Sequence, residues 1–65
     1  MPMTARQMVR LLKKNGFSAV RQKGSHLRMY NSSTNVAVTI PMHPGELNKW
    51  IEEGILRDAG IERQV

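Results

Sequence analysis

Cysteine is absent from the sequence, and no apolar run extends beyond a few residues. Without cysteine the chain can form neither disulfides nor thiolate zinc sites, a composition that fits a reducing cytoplasm. A transmembrane helix needs about 20 consecutive apolar residues, and residues 1–4 lack the charged and hydrophobic regions of a signal peptide. We therefore expect a soluble cytoplasmic protein that does not enter a membrane.

Acidic residues are absent from the first 45 positions. All five acids lie in the last 20, so the first segment carries +7 and the second −2, which together give the net charge of +5. Such an asymmetry indicates a polyanionic partner for the first segment, and RNA or DNA is the commonest one. The same pattern would also fit a basic face that is merely solvated.

The chain is also short. Its 65 residues predict one domain over residues 1–65, and a domain of about this size hides only about 60% of its unfolded surface. Any active site should therefore be shallow and close to the surface.

The segment from Thr4 to Gly16 has the features of one helix. Thr4 and Gln7 match a capping box, in which both side chains bond backbone amides at the helix start. Asn15 and Gly16 supply a left-handed exit, so we predict a helix near residues 5 to 15. Its apolar stripe has helical spacing and consists of Ala5, Met8, Leu11 and Leu12.

The opposite side of this helix is cationic. Arg6, Arg10 and Lys13 lie at i, i+4 and i+7, so their side chains share one exposed ridge. Because no acid lies nearby in the sequence, these side chains are free to contact phosphates.

Residues 17 to 40 change from helical to alternating periodicity, which is typical of strands. We predict a first strand over Phe17 to Gln22, a turn at Lys23–Gly24 and a second hairpin loop over Asn31–Asn35. The result is a three-stranded antiparallel meander. Its inner face is predicted to pack on the helices through Val20, Leu27, Met29, Val36, Val38 and Ile40.

The other face of the second strand carries His26, Arg28 and Tyr30, and we expect it to stay in contact with water. Tyr30 is ambiguous, because an aromatic residue at a strand end packs as often as it binds. A histidine on a strand is usually structural or merely exposed. A chemical role for His26 therefore depends on its surroundings, which here include a glycine and several cations.

Helical spacing returns after Pro41–Gly45. Asn48 fits an N-cap and Gly60 a helix end, so we predict a second helix near residues 49 to 59, with Trp50 most simply a core or edge anchor. The residues with this spacing are Leu47, Trp50 or Ile51, Ile55 and Ala59. The predicted fold class is α+β, with the order α-β-β-β-α and both helices on one face of the sheet.

Three stretches lie in order and at fitting spacing: Leu11-Leu12-Lys13-Lys14-Asn15-Gly16-Phe17, Gly24-Ser25-His26 and Ala59-Gly60-Ile61. Through them nearly the whole chain resembles the HicA toxins of bacterial toxin-antitoxin systems. The resemblance implies a fold similar to the double-stranded-RNA-binding domain, cleavage of messenger RNA, and neutralisation by a HicB antitoxin. Residues 44–53 depart from the family pattern, since they carry more charge and a tryptophan where many members have a small helix start.

The resemblance also implies that His26, in the Gly-Ser-His motif, is the catalytic residue. A ribonuclease has to remove the 2′-OH proton, stabilise negative charge on the phosphate and protonate the departing 5′ oxygen. Histidine suits the proton steps because its reference pKa of about 6.5 allows proton exchange near neutral pH. Lys23 and Arg28 are the expected charge stabilisers, and the amides of Gly24 and Ser25 are further candidate donors.

Two more elements belong to the expected site. The ridge of Arg6, Arg10 and Lys13 should position the RNA backbone. His43, in the loop after the third strand, is either a turn residue that stacks or caps, or a second proton carrier if the loop folds towards His26.

The sequence disfavours a metal-dependent reaction. Mg²⁺ prefers carboxylate oxygens, which are confined to the last 20 residues, and zinc needs more ligands than the two histidines provide. We therefore expect a metal-independent endoribonuclease without a cofactor.

Two other functions remain open. A non-catalytic double-stranded-RNA-binding module would use the same basic residues and leave His26 dispensable. A basic amphipathic helix would bind a membrane surface, but the apolar stripe here lacks Trp and Phe and is needed for the core. The expected partners are RNA and a HicB-like antitoxin, with the toxin alone a monomer and the two proteins a hetero-oligomer.

Overall fold

A computed structural model describes residues 2–62 of the chain. Along the chain, one helix precedes and one helix follows three antiparallel strands, which are hydrogen-bonded in the order β1-β2-β3. The elements are α1 (Ala5–Lys14), β1 (Ser18–Lys23), β2 (His26–Asn31), β3 (Val36–Pro41) and α2 (Lys49–Ala59). The predicted α+β class and the order α-β-β-β-α are confirmed.

Helix α1 begins and ends through the contacts that the sequence predicts. The Gln7 amide donates to Thr4 Oγ1 at 3.1 Å and the Thr4 amide donates to Gln7 Oε1 at 2.9 Å, which completes the capping box. At the other end Gly16 has a φ of 92°, and the Phe17 amide donates to the Leu12 carbonyl at 3.0 Å, a pattern typical of a Schellman ending. The helix ends one residue before the predicted limit.

The first hairpin differs from the prediction by one residue. Lys23 pairs with His26, so the turn consists of Gly24 and Ser25, and Lys23 is the last residue of β1. Gly24 has a φ of 59°, as the first position of a two-residue type II′ turn requires. The predicted turn at Lys23–Gly24 was therefore placed one residue too early.

Both helices cover the same face of the sheet, mainly above β2 and β3. The core that forms there consists of Ala5, Met8, Leu12, Phe17, Met29, Val38, Ile40, Leu47, Ile55 and Leu56, with Leu27 and Val36 packed against it. Five of the six residues predicted on the inner face of the sheet are therefore confirmed.

Val20 is the exception, because its side chain is 56% exposed. Ala19 pairs with Met29 and Arg21 with Arg28, so Val20 is an extra residue in a β-bulge and has no partner on β2. All six residues of β1 are exposed, since this edge strand lies outside the area that the helices cover.

Helix α2 has the predicted limits, but its buried face agrees only in part with the prediction. Asn48 Oδ1 accepts from the Trp50 amide at 2.8 Å, as expected of an N-cap. Trp50 is 81% exposed, so the prediction of a core or edge anchor was wrong. The buried residues of the helix are Glu52, Ile55 and Leu56, so the predicted Ile55 is confirmed, whereas Ile51, like Trp50, is exposed.

The N-terminal segment ties the starts of the two helices together. Thr4 and Glu46 form an antiparallel bridge, and the Leu47 amide donates to the Met3 carbonyl at 2.7 Å. The buried Glu52 accepts from the Met3 amide at 2.5 Å. These contacts hold residues 42–45 beside the first turn of α1.

Neither helix in the described range, residues 2–62, has the length and apolar character that crossing a bilayer would require.

Candidate functional site

His26 lies on the face of the sheet that the helices leave open. Its Cα partners are Lys23 on β1 and Pro41 on β3, and side chains at paired positions point to the same face. His26 is exposed. The imidazole is therefore available to a large ligand that approaches the open face of the sheet.

Two arginines that face each other on neighbouring strands lie next to this histidine. Arg21 on β1 pairs with Arg28 on β2, and both side chains are exposed. Like charges that face each other across two strands destabilise a sheet, and within residues 2–62 none of these side chains forms an ion pair with a carboxylate. We call Arg21, Lys23, His26 and Arg28 the outer cationic patch.

Arg21 was not among the predicted site residues. Its position opposite Arg28 follows from the two-residue turn at Gly24–Ser25, from which the register can be counted back along β1. With the turn predicted at Lys23–Gly24, one residue too early, the register differs and Arg21 does not face Arg28. The pair could therefore not be identified from the sequence. The Gly-Ser step directly before His26 was the signal that locates the turn correctly.

The turn itself presents hydrogen-bond donors beside His26. The Gly24 carbonyl accepts from Gln22 Nε2 at 3.1 Å, and the Ser25 carbonyl accepts from the Met42 amide at 2.5 Å. The Gly24 and Ser25 amides have no acceptor among residues 2–62. A Cβ placed on Gly24 would meet nothing within 4 Å, so an anion can approach this backbone closely.

The predicted ridge on α1 borders a groove. Its three cations are exposed, and together with Val9 and Met42 they line a hollow of about 250 Å³. An adjoining hollow of about 470 Å³ lies between the first turn of α1 and the loop after β3, and is lined by Thr4, Ala5, Arg6, Met42, His43, Pro44 and Gly45. The three cations of the ridge thus lie along one side of the groove, and His43 lines its larger hollow.

The groove and the outer cationic patch meet at Met42. This residue contacts both hollows of the groove, and its amide donates to Ser25 in the turn before His26. None of the patch residues lines either hollow. His43 therefore shares the groove with Arg6, whereas Lys23 and Arg28 flank His26 on the open sheet face.

A family model described as HicA toxin of bacterial toxin-antitoxin matches residues 5–61. The chain belongs to the HicA toxin family. A search of curated proteins found no match. The HicA match begins at the first residue of α1 and extends past α2. It includes the outer cationic patch and the groove lining except Thr4, and it confirms the resemblance that the sequence suggested.

Tyr30, for which the sequence left open whether it packs or binds, forms a structural hydrogen bond in this HicA chain. Its hydroxyl donates to Asn35 Oδ1 at 2.5 Å, and Asn35 has a φ of 59° in the loop between β2 and β3. Tyr30 thus holds the loop at the end of β2 that lies farthest from His26.

Carboxylates do not gather at either cationic surface. Within the part of the chain that the structure describes, no three or more His, Asp or Glu residues form a group that could hold a metal ion. All five acids follow position 45, and one of them, Glu52, lies on the buried face of α2.

Proposed function

We propose that this HicA-family chain is a cytoplasmic, metal-independent endoribonuclease that cleaves messenger RNA, thereby blocks translation, and is neutralised by a HicB-like antitoxin. The observation that carries the proposal is the exposed position of His26, between Lys23 and Arg28 and directly after two amides that have no acceptor in the described range. This arrangement combines a group that exchanges protons with several groups that stabilise negative charge.

The reaction uses the nucleophile of the RNA itself. A base removes the 2′-OH proton, the 2′ oxygen bonds to the adjacent phosphorus, and the bond from phosphorus to the 5′ oxygen breaks. An acid returns a proton to the departing 5′ oxygen, so that the products are a 2′,3′-cyclic phosphate and a free 5′-OH. His26 is the base or the acid in these steps, since an imidazole serves either role near neutral pH.

The groups around His26 supply charge stabilisation. Negative charge builds on the phosphate as the 2′ oxygen attacks, and Lys23, Arg28 and the amides of Gly24 and Ser25 are the donors available to it. Because the turn is fixed by its own carbonyl contacts, these amides need little reorganisation. Arg6, Arg10 and Lys13 then hold the flanking backbone through its phosphates.

His43 remains a candidate for the second proton carrier. A proton carrier has to come within hydrogen-bond reach of the reacting oxygen, and His43 lines the groove two residues after Pro41, the sheet partner of His26. If His43 carries the second proton, His43→Ala reduces the rate of cleavage even when RNA saturates the chain.

The distribution of carboxylates supports a reaction without metal. Mg²⁺ binds through carboxylate and phosphate oxygens, and no acid precedes position 46. Cations and amides thus supply the charge stabilisation that a metal ion gives in other nucleases.

The test is cleavage of a long unstructured RNA in excess EDTA. The parent chain should generate new 3′ ends with cyclic phosphates, and His26→Ala should lose at least about 100-fold in rate, the usual contribution of one general acid or base. Arg57→Ala is the matched control, because it removes an exposed cation on α2. Undiminished cleavage by His26→Ala would reject His26 as the catalytic residue.

A non-catalytic double-stranded-RNA-binding module is the alternative, and the two exposed cationic surfaces are the observation that favours it. In that case the parent chain and His26→Ala bind RNA equally and neither cleaves it.

A further inference from the structure

The larger hollow of the groove differs in chemistry from the ridge beside it. Along α1 the groove is lined by the cations Arg10 and Lys13, which suit phosphates. Arg6 and Met42 line both hollows, and in the larger one they are joined by His43 and Pro44 instead of further arginine or lysine residues. The groove therefore offers charge along one half and a site for an uncharged planar group in the other.

The size of this second half fits a single small group. Its volume of about 470 Å³ lies within the range of about 300–1,000 Å³ that is usual for small-ligand sites, and this volume is far too small to enclose a nucleic-acid duplex. Its walls are held in place, because the Thr4–Glu46 bridge and the bond from the Leu47 amide to the Met3 carbonyl join the start of α1 to the end of the loop.

We propose that this hollow, which we call the base pocket, binds one unpaired nucleobase while Arg10 and Lys13 hold the phosphates next to it. The inference rests on the proposed ribonuclease function and specifies its substrate as single-stranded RNA. His43 stacks on the base, as imidazole rings do in single-strand recognition, and the Arg6 guanidinium at the junction of the two hollows contacts the base or its phosphate.

Pairing would prevent this contact. A base within a duplex is stacked between its neighbours and bonded along its Watson-Crick edge, so entry into the pocket would cost the energy of unpairing and unstacking. An unpaired base avoids most of this cost. The chain should therefore discriminate between an unpaired strand and a duplex of the same sequence, even though its fold class is shared with proteins that bind duplex RNA.

The test measures binding without cleavage. A fluorescent eight-nucleotide RNA with 2′-O-methyl groups lacks the nucleophile, so the unaltered chain binds it and leaves it intact. We expect it to bind more tightly than its duplex, and we expect an abasic residue at one position to weaken binding by about 5- to 150-fold, the contribution of one stacked base. Abasic residues at positions outside the pocket should change binding little.

Two variants assign the effect to the pocket. In His43→Ala the affinity for the complete strand should fall and the penalty for the abasic residue should largely disappear. In Lys13→Ala, the control, both strands should bind more weakly by the same factor, and the slope of log K against log salt should fall by about 0.7, as for one phosphate contact on a single strand.

Equal affinity for the single strand and the duplex, or no abasic position that weakens binding, would overturn the base pocket and leave His26-dependent cleavage unaffected. Conversely, base-dependent binding together with undiminished cleavage by His26→Ala would uphold the pocket and reject the proposed catalytic residue. An unchanged abasic penalty in His43→Ala would remove His43 from the pocket and overturn the assignment.

Discussion

Asn31 is the buried polar residue on which the end of the second strand depends. Its Nδ2 donates to the Asn15 carbonyl at 3.0 Å, and its Oδ1 accepts from the Ser33 and Thr34 amides at 2.9 and 3.4 Å. Gly16 lies directly against it, since a Cβ there would stand 3.1 Å from the same Nδ2. One side chain thus joins the end of α1 to the loop between β2 and β3.

We predict that Asn31→Ala lowers the free energy of unfolding by about 2–4 kcal/mol. The substitution removes three part-buried hydrogen bonds, each worth about 1 kcal/mol net, and leaves the buried position of the amide without its polar contacts. Urea denaturation followed by circular dichroism measures the change. The control is Asn15→Ala, whose side chain forms only an exposed bond to the Leu11 carbonyl and whose loss should cost about 0.5 kcal/mol or less. Equal effects of the two substitutions would contradict the role of Asn31.

The sequence could not have identified this role. Asn31 was placed at the start of a loop because Asn and Ser favour turns, but it is the last residue of β2 and pairs with Val36 on β3. Its burial depends on the end of α1, which approaches it only after the chain folds. Contacts between residues distant in sequence, such as the bond from Met3 to Glu52, are hidden from local patterns for the same reason.

At the scale of the element, α2 shows which part of a periodic pattern can mislead. Trp50 and Ile51 fit the helical spacing from Leu47, but the buried face is set by Ile55, Leu56 and the charged Glu52. A pattern that counts only apolar residues assigns Glu52 to the surface. The prediction succeeded at both helix ends, where the capping side chains act within a few residues.

The two faces of α2 should respond differently to truncation. Leu56→Ala should destabilise the chain by about 2–5 kcal/mol, because the buried side chain leaves a cavity. Trp50→Ala should change stability by about 0.5 kcal/mol or less, since the indole is 81% exposed. Urea denaturation of both variants decides the matter, and a large loss in Trp50→Ala would mean that the indole packs on the protein after all.

In the first hairpin, a pair of arginines is expected to lower stability and to favour RNA binding. Arg21 and Arg28 face each other across β1 and β2, and such a pair costs a few tenths of a kcal/mol or more. We predict that Arg21→Gln raises the free energy of unfolding by about 0.2–0.5 kcal/mol at low salt and weakens RNA binding.

The gain in stability should shrink as salt is added, because the repulsion is screened over about 10 Å at 0.1 M salt. Arg57→Gln is the control, since Arg57 lies beside Asp58 rather than another cation, and it should not stabilise the chain. A loss of stability in Arg21→Gln would show that Arg21 contributes packing that outweighs the repulsion.

At the scale of the whole molecule, charge is separated along the chain. The first 45 positions carry +7 and contain both cationic surfaces, while the last 20 carry −2. The separation of charge was evident from the sequence. That the cations form two surfaces, one on the open sheet face and one along a groove, became clear only from the register of β1 and the position of Met42. Under the proposed function, an antitoxin would neutralise such a molecule by covering the charge and blocking access to His26.

We therefore predict that a HicB-like partner presents acidic residues to the outer cationic patch and abolishes RNA cleavage in the complex. Electrostatic complementarity chiefly raises the association rate, so that rate should fall as salt increases. The double variant Arg21→Gln/Arg28→Gln should associate more slowly by about 10-fold or more at low salt, whereas Arg57→Gln should associate like the parent. Stopped-flow measurement of complex formation gives these rates. A complex that still cleaves RNA, or an association rate indifferent to both salt and the double variant, would place the partner on another surface, and the exposed Trp50 on α2 would then be the next position to substitute.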